Sequence, residues 1–178
     1  MNILGLSCYY HDAGAALVRD GRLVAAAEEE RFTRKKHDSG FPENAVRYCL
    51  REAGITINDV DHIGFYEKPL VKFNRILESI LATWPLSYRA WLTAMPLWLT
   101  QRLRIGGEIQ KKLGTEKDIL YCQHHLSHAA SAFLVSPFDE AAVITADGVG
   151  EWTTTSWGTG RGSDIEVVKE LRFPHSIG

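Results

Sequence analysis

At 178 residues, with 20 Lys and Arg against 22 Asp and Glu and a net charge of −2, the chain lacks the basic excess that would mark nucleic acid or an anionic membrane as its main partner. Its hydrophobic content of 45% is that of a globular protein able to bury a core. Cys8, Cys49 and Cys122 are scattered and form no CxxC pair, which argues against a disulfide framework and for a reducing cytoplasm.

Residues 2–7 are a short apolar run and predict a buried strand. The first ten residues have neither a basic start nor a long apolar stretch, so no signal peptide is expected there. The loop Tyr10-His11-Asp12-Ala13-Gly14 follows, and residues 15–19 predict a second strand. Asp20-Gly21 is a two-residue hairpin turn, and residues 22–28 predict a third strand, making a three-stranded antiparallel meander. A densely charged segment runs from Glu28 to His37. Residues 42–53 predict a helix, with Pro42 suited to its first turn, Val46, Cys49, Leu50 and Ala53 on one face and Gly54 as the stop. Residues 62–66 predict another strand.

A helical insert covers about residues 70–113. Its Leu- and Trp-rich part is interrupted by Glu78, Pro85, Arg89 and Pro96, so it fails as a membrane span and predicts two or three helices joined at the prolines. Trp84, Trp91 and Trp98 recur every seven residues, a spacing that points first to core packing. Residues 119–122 predict a strand leading into a helix that Pro137 ends. The opening theme then recurs: a strand at 141–146, the loop Asp147-Gly148-Val149-Gly150-Glu151, a strand at 152–157, a Gly-rich turn at 158–163 and a strand at 165–173. Two such hairpins facing each other can each offer loop N–H groups to a phosphate chain. That arrangement belongs to the actin-like ATPase architecture, in which nucleotide lies between two duplicated lobes. The expected fold is therefore α/β with a mixed sheet. Residues 1–140 would form a first lobe with the insert, and residues 141–178 the opening hairpins of a second. A second lobe needs more residues than these, so the chain reads as a truncated one.

The run His124-His125-Leu126-Ser127-His128 carries the most chemistry. On a helix, His124 and His128 stack on one face, where two neutral imidazoles can hold one metal ion. His125 points about 100° around the helix and has lower weight as a ligand. A zincin would need Glu where His125 stands. Two ligands are too few for a catalytic metal, so a third must come from elsewhere in the fold.

Several segments resemble the O-carbamoyltransferase family of the NodU/CmcH type, the antibiotic and nodulation-factor carbamoyltransferases. They are Ile3-Leu4-Gly5-Leu6 with Tyr10-His11-Asp12 and Ala15-Ala16-Leu17-Val18, then the stretch from Ala25 to His37, then His124-His125-Leu126-Ser127-His128-Ala129-Ala130-Ser131-Ala132-Phe133. The loop from Asp147 to Glu151 and the closing Phe173-Pro174-His175-Ser176-Ile177-Gly178 add to them. The resemblance implies an N-terminal domain similar to the tRNA threonylcarbamoyl transferases, paired in the family with a C-terminal domain that makes carbamoyl-adenylate from carbamoyl phosphate and ATP. The N-terminal domain then passes the carbamoyl group to a hydroxyl of a small-molecule acceptor. It implies His124 and His128 as the metal pair for iron or another divalent ion, with the Asp that completes the site outside this chain. It also implies His11 as the base for the acceptor hydroxyl, with Asp12 orienting that imidazole or binding the acceptor. Lys36 and Arg34 would neutralise the phosphate or adenylate, while a solvated face suits Lys35 better. Asp147, Gly148, Val149 and Gly150 resemble a nucleotide-contacting loop whose small residues let backbone N–H groups approach phosphate.

Three other functions compete. An actin-like kinase or ATPase would need an acidic residue for magnesium, and the paired histidines argue against it. A tRNA threonylcarbamoyl transferase would favour a more basic surface. A non-enzymatic module would dock a partner, or a second copy as a homodimer, through the Trp-rich insert.

Overall fold

The computed structural model describes residues 1–10 and 12–177. The chain divides into two compact units, Met1–Tyr66 with Arg104–Tyr121, and Glu67–Leu103 with Cys122–Gly178.

The first unit is built on a five-stranded mixed sheet. Strands β1 (Asn2–Ser7), β2 (Gly14–Arg19) and β3 (Arg22–Glu28) form the expected meander, turning at Asp20 and Gly21 in left-handed backbone. Strand β4 (His62–Phe65) pairs parallel to β1, and β5 (Ile119–Tyr121) parallel to β4, giving the order β3-β2-β1-β4-β5. A one-turn helix α1 (Glu30–Thr33) follows β3, and helix α2 (Glu43–Ala53) packs on β2 and β3 with Ala45, Val46 and Cys49 buried.

No side chain of the preceding residue caps α2. The buried Glu29 carboxylate takes that role, accepting from the Asn44 N–H at 3.2 Å, the Asn44 side-chain amide at 2.6 Å and the Ala45 N–H at 2.9 Å. A carboxylate there also suits the positive end of the helix dipole. Gly54 ends the helix at φ +64°, donating back to the Leu50 and Arg51 carbonyls. Helix α5 (Ile105–Leu113) adds Ile105 and Ile109 to a core of Leu4, Leu17, Ile63 and Phe65.

The second unit holds helices α3 (Pro69–Ala82) and α4 (Tyr88–Thr100), helix α6 (His124–Phe133) and strands β6 (Glu140–Ala146), β7 (Thr153–Arg161) and β8 (Asp164–Arg172). The three strands are a second antiparallel meander, in which β6 pairs with β7 alone among the described residues. Helix α6 rests on this sheet through Ala129 and Phe133, which meet Val143, Ala141 and Ile165. Met95 and Trp98 of α4 are buried, and Trp98 lies 5.8 Å from Phe73 of α3 between ring centroids.

Three expectations need correction. The unit boundary does not fall between residues 140 and 141, because α6 carries its apolar face to the second sheet. The insert is not one body, since α3 and α4 belong to the second unit and α5 to the first. Residues 158–163 are not all turn, because β7 continues to Arg161. Gly158 and Gly160 are strand glycines that allow close approach. A Cβ on Gly158 would lie 1.9 Å from the Glu166 carbonyl oxygen, and one on Gly160 would lie 2.5 Å from the Phe133 ring.

No described helix is long and apolar enough to cross a membrane.

Candidate metal centre

Helix α6 begins at His124, just after an extended Gln123. Its first turn turns two imidazoles to one side, and the His124 and His128 ring centroids are 4.7 Å apart. Their Nε2 atoms approach to 3.1 Å. The Asp147 carboxylate reaches the same place from the loop after β6, with Oδ2 2.9 Å from His124 Nε2. The ligand atoms of His124, His128 and Asp147 all lie within 4.8 Å of one another. Two imidazoles and one carboxylate match the donor set of non-haem iron(II) sites and also suit other divalent ions, so these residues fit the metal that the resemblance implies.

The surroundings of His124 are tightly specified. A Cβ on Gly150 would stand 2.3 Å from its Cδ2, so only glycine admits the ring here. On the other side, Glu67 Oε2 lies 3.8 Å from His124 Nδ1 and 2.8 Å from Lys72 Nζ. Glu67, Lys72 and His124 are all buried. Glu151, also buried, accepts the Lys68 N–H at 2.6 Å, tying the loop after β6 to the start of α3.

Burial pushes the His124 imidazole below the ordinary histidine value, and the neighbouring His128 pushes it further. Asp147 and Glu67 oppose this. At neutral pH His124 is therefore uncharged, and its contact with Asp147 is a hydrogen bond rather than an ion pair. Uncharged imidazole is also the form that binds metal. Burial pushes the Glu151 carboxyl up.

The carbamoyltransferase N-terminus family matches residues 2–178. The chain belongs to that family. It is 52% identical over 185 residues to an uncharacterized protein of Synechocystis sp., covering 99% of this chain and 30% of that protein. It is 34% identical over 173 residues to the nodulation protein NolNO of Sinorhizobium fredii, covering 96% of this chain and 24% of NolNO. The chain thus spans less than a third of the length of these relatives. Among solved structures, YeaZ from Pseudomonas aeruginosa matches with a TM-score of 0.52 at 16% identity, over 97% of this chain and 67% of that one. This likeness shows the fold, which is the actin-like ATPase fold.

Within this member of the carbamoyltransferase N-terminus family, the structure brings His124 and His128 together as the helix spacing predicts. It adds Asp147, which the sequence placed only in the phosphate-facing loop. A bare carboxylate there would repel phosphate, whereas beside two imidazoles it suits a cation. The third ligand expected outside the chain therefore has a candidate inside it. Gly150 is in place for a steric reason, and Gly148 has open space around it, with no atom within 4 Å of an added Cβ. Val149 is half-buried in the same loop. His125 turns away from the cluster, its Nδ1 2.6 Å from Thr145 Oγ1, which in turn meets Ser156 Oγ at 2.6 Å.

The remaining expected residues belong to the first unit. His11 lies outside the described residues. Asp12 Oδ1 is 2.9 Å from His37 Nδ1, and the His37 N–H donates to Glu30 at 3.1 Å. Arg34, in left-handed backbone at φ 60°, and Lys36 are exposed on the same segment, whereas Lys35 pairs with Asp38 at 3.8 Å. Sequence reasoning missed Glu67, Lys72 and Glu151. The signal was faint, a charged Glu67-Lys68-Pro69 at a helix start, because nothing local says that those charges are buried.

Proposed function

We propose that this chain forms the metal-binding and acceptor-side part of an enzyme that transfers a carbamoyl group to a hydroxyl of a small molecule. The donor is carbamoyl phosphate, activated with ATP as carbamoyl-adenylate. The observation that carries the reading is the convergence of His124, His128 and Asp147 in a chain of the carbamoyltransferase family.

A divalent ion at these three residues, iron by resemblance, would hold phosphate oxygens and offset charge on the leaving group. The chain's own residues supply the rest. The exposed cations Arg34 and Lys36 offer charge-assisted hydrogen bonds to phosphate. Asp12, hydrogen-bonded to His37, orients a base or the acceptor. His11 takes the hydroxyl proton as the acceptor oxygen bonds to the carbamoyl carbon and the adenylate phosphate leaves. Gly148 keeps the loop at Asp147 open to the backbone approach that a phosphate needs, and Gly150 leaves room for the His124 ring.

The test is metal content and carbamoyl transfer from carbamoyl phosphate and ATP, measured on the intact protein and on His124→Ala/His128→Ala and Gly150→Ala variants. Both variants should lose stoichiometric metal, and transfer should fall more than about 100-fold. A double variant that keeps metal and transfer would overturn the reading.

A further inference from the structure

The position of Glu67 adds a residue to this site. Its carboxylate is buried, 6% exposed, at the point where the chain enters α3. One oxygen, Oε2, faces both Lys72 Nζ at 2.8 Å and His124 Nδ1 at 3.8 Å. The opposite ring nitrogen of His124, Nε2, is the one that meets Asp147 and His128. A neutral imidazole has one proton for two nitrogens. Ligation through Nε2 requires that proton on Nδ1, the side where Glu67 stands.

We propose that Glu67 is a positioning residue for the metal centre: it stabilises the Nδ1-protonated, ligating tautomer of His124, while Lys72 balances the carboxylate's charge. This rests on the metal site proposed above. Without metal, the Asp147 carboxylate draws the single proton to Nε2. With metal, that proton is displaced and a proton on Nδ1 faces a carboxylate in a dry setting, where the attraction is strong. Glu67 thus favours the metal-bound state over the metal-free one. Lys72 acts with the opposite sign, because its ammonium sits on the same oxygen and reduces the charge that His124 feels. Carboxylate partners of ligating histidines have this effect in general, and their loss weakens metal binding about 10–100-fold.

The opposite signs separate positioning from a mere structural ion pair. Zinc and cobalt(II) affinities would be measured by competition with a chelator on the intact protein, its Glu67→Gln, Lys72→Met and Glu67→Gln/Lys72→Met variants, with thermal unfolding of each metal-free form alongside. Glu67→Gln should bind metal about 10–100-fold more weakly. Lys72→Met should bind at least as tightly as the parent even where its metal-free form melts lower. The double variant, which leaves no buried charge of the pair alone, should fold and stay weak. Equal weakening in Glu67→Gln and Lys72→Met would assign the pair a structural role, and affinity within about twofold of the parent in Glu67→Gln or the double variant would also overturn the proposal. A parent protein that binds neither metal would instead remove the site on which it rests, a separate outcome from either.

Discussion

The two units solve the problem of a folded interior in opposite ways. The first buries Leu4, Leu6, Leu17, Val60, Ile63, Phe65 and Ile109, and Glu29 is its one buried polar side chain among the described residues. The second buries Glu67, Lys72, Arg75, His124, His125, Thr145, Glu151, Thr154, Thr155 and Ser156, beside the apolar Ile80, Met95 and Trp98 of α3 and α4 and a small cluster of Ala129, Phe133 and Val143 at α6. An apolar interior is stabilised by the area withdrawn from water and tolerates little loss of volume. A polar interior is held by matched partners, and a missing partner harms it more than a missing methyl group. The first unit is a scaffold by this measure, and the second places chemistry where water is scarce.

The largest expected effect tests the first half of the contrast. Phe65→Ala, at a fully buried position, should lower stability by about 3–5 kcal/mol in chemical denaturation. A loss under 1 kcal/mol would mean that the first core is not close-packed. The second half is tested by Thr145→Val, which keeps the shape but removes the hydroxyl between His125 and Ser156. It should lower stability by about 1–3 kcal/mol because both partners are buried and left unmatched. A neutral outcome would break the comparison. All five tryptophans, Trp84, Trp91, Trp98, Trp152 and Trp157, belong to the second unit, so their fluorescence reports this change directly.

The smallest effect concerns acid. His124 and His125 are both pushed down by burial in the second unit, so the unfolded chain takes up protons before the folded one as pH falls below about 6.5. Stability present above that pH is lost below it. In the first unit, Asp38 and Asp59 are held down by hydrogen bonds, to Gly40 and Thr33 for Asp38 and to Thr56 for Asp59. Their contribution is lost only below about pH 4. Metal-free protein should therefore lose its tryptophan signature at a higher pH than the amide-exchange protection of β1 and β4, and simultaneous loss would merge the two units into one cooperative body.

Both meanders were legible in the sequence, because short alternating or apolar runs and a two-residue Asp-Gly turn are local signals. So was α2, read as residues 42–53 and found as Glu43–Ala53. The facing of His124 and His128 followed from helix geometry alone. What stayed hidden depends on partners far along the chain. Gly158 and Gly160 read as a turn by composition, and only Glu166 and Phe133, pressed against them, explain glycine in a strand. Asp147 read as loop chemistry until its distance to His124 was known. Glu67 gave no local sign of a role, since Lys72 and His124 make its burial tolerable only after folding.

Strand β6 leaves one consequence for handling the molecule. Its counterpart β1 has a neighbour on either side, β2 and β4, whereas β6 has β7 alone among the described residues, and its Ile144 is 73% exposed. A row of unmet backbone donors and acceptors beside an exposed isoleucine is a template for adding a strand from another molecule. Purified as these 178 residues, the chain is set to self-associate edge to edge as concentration rises. Charged residues placed along β6 are the means of keeping it dispersed.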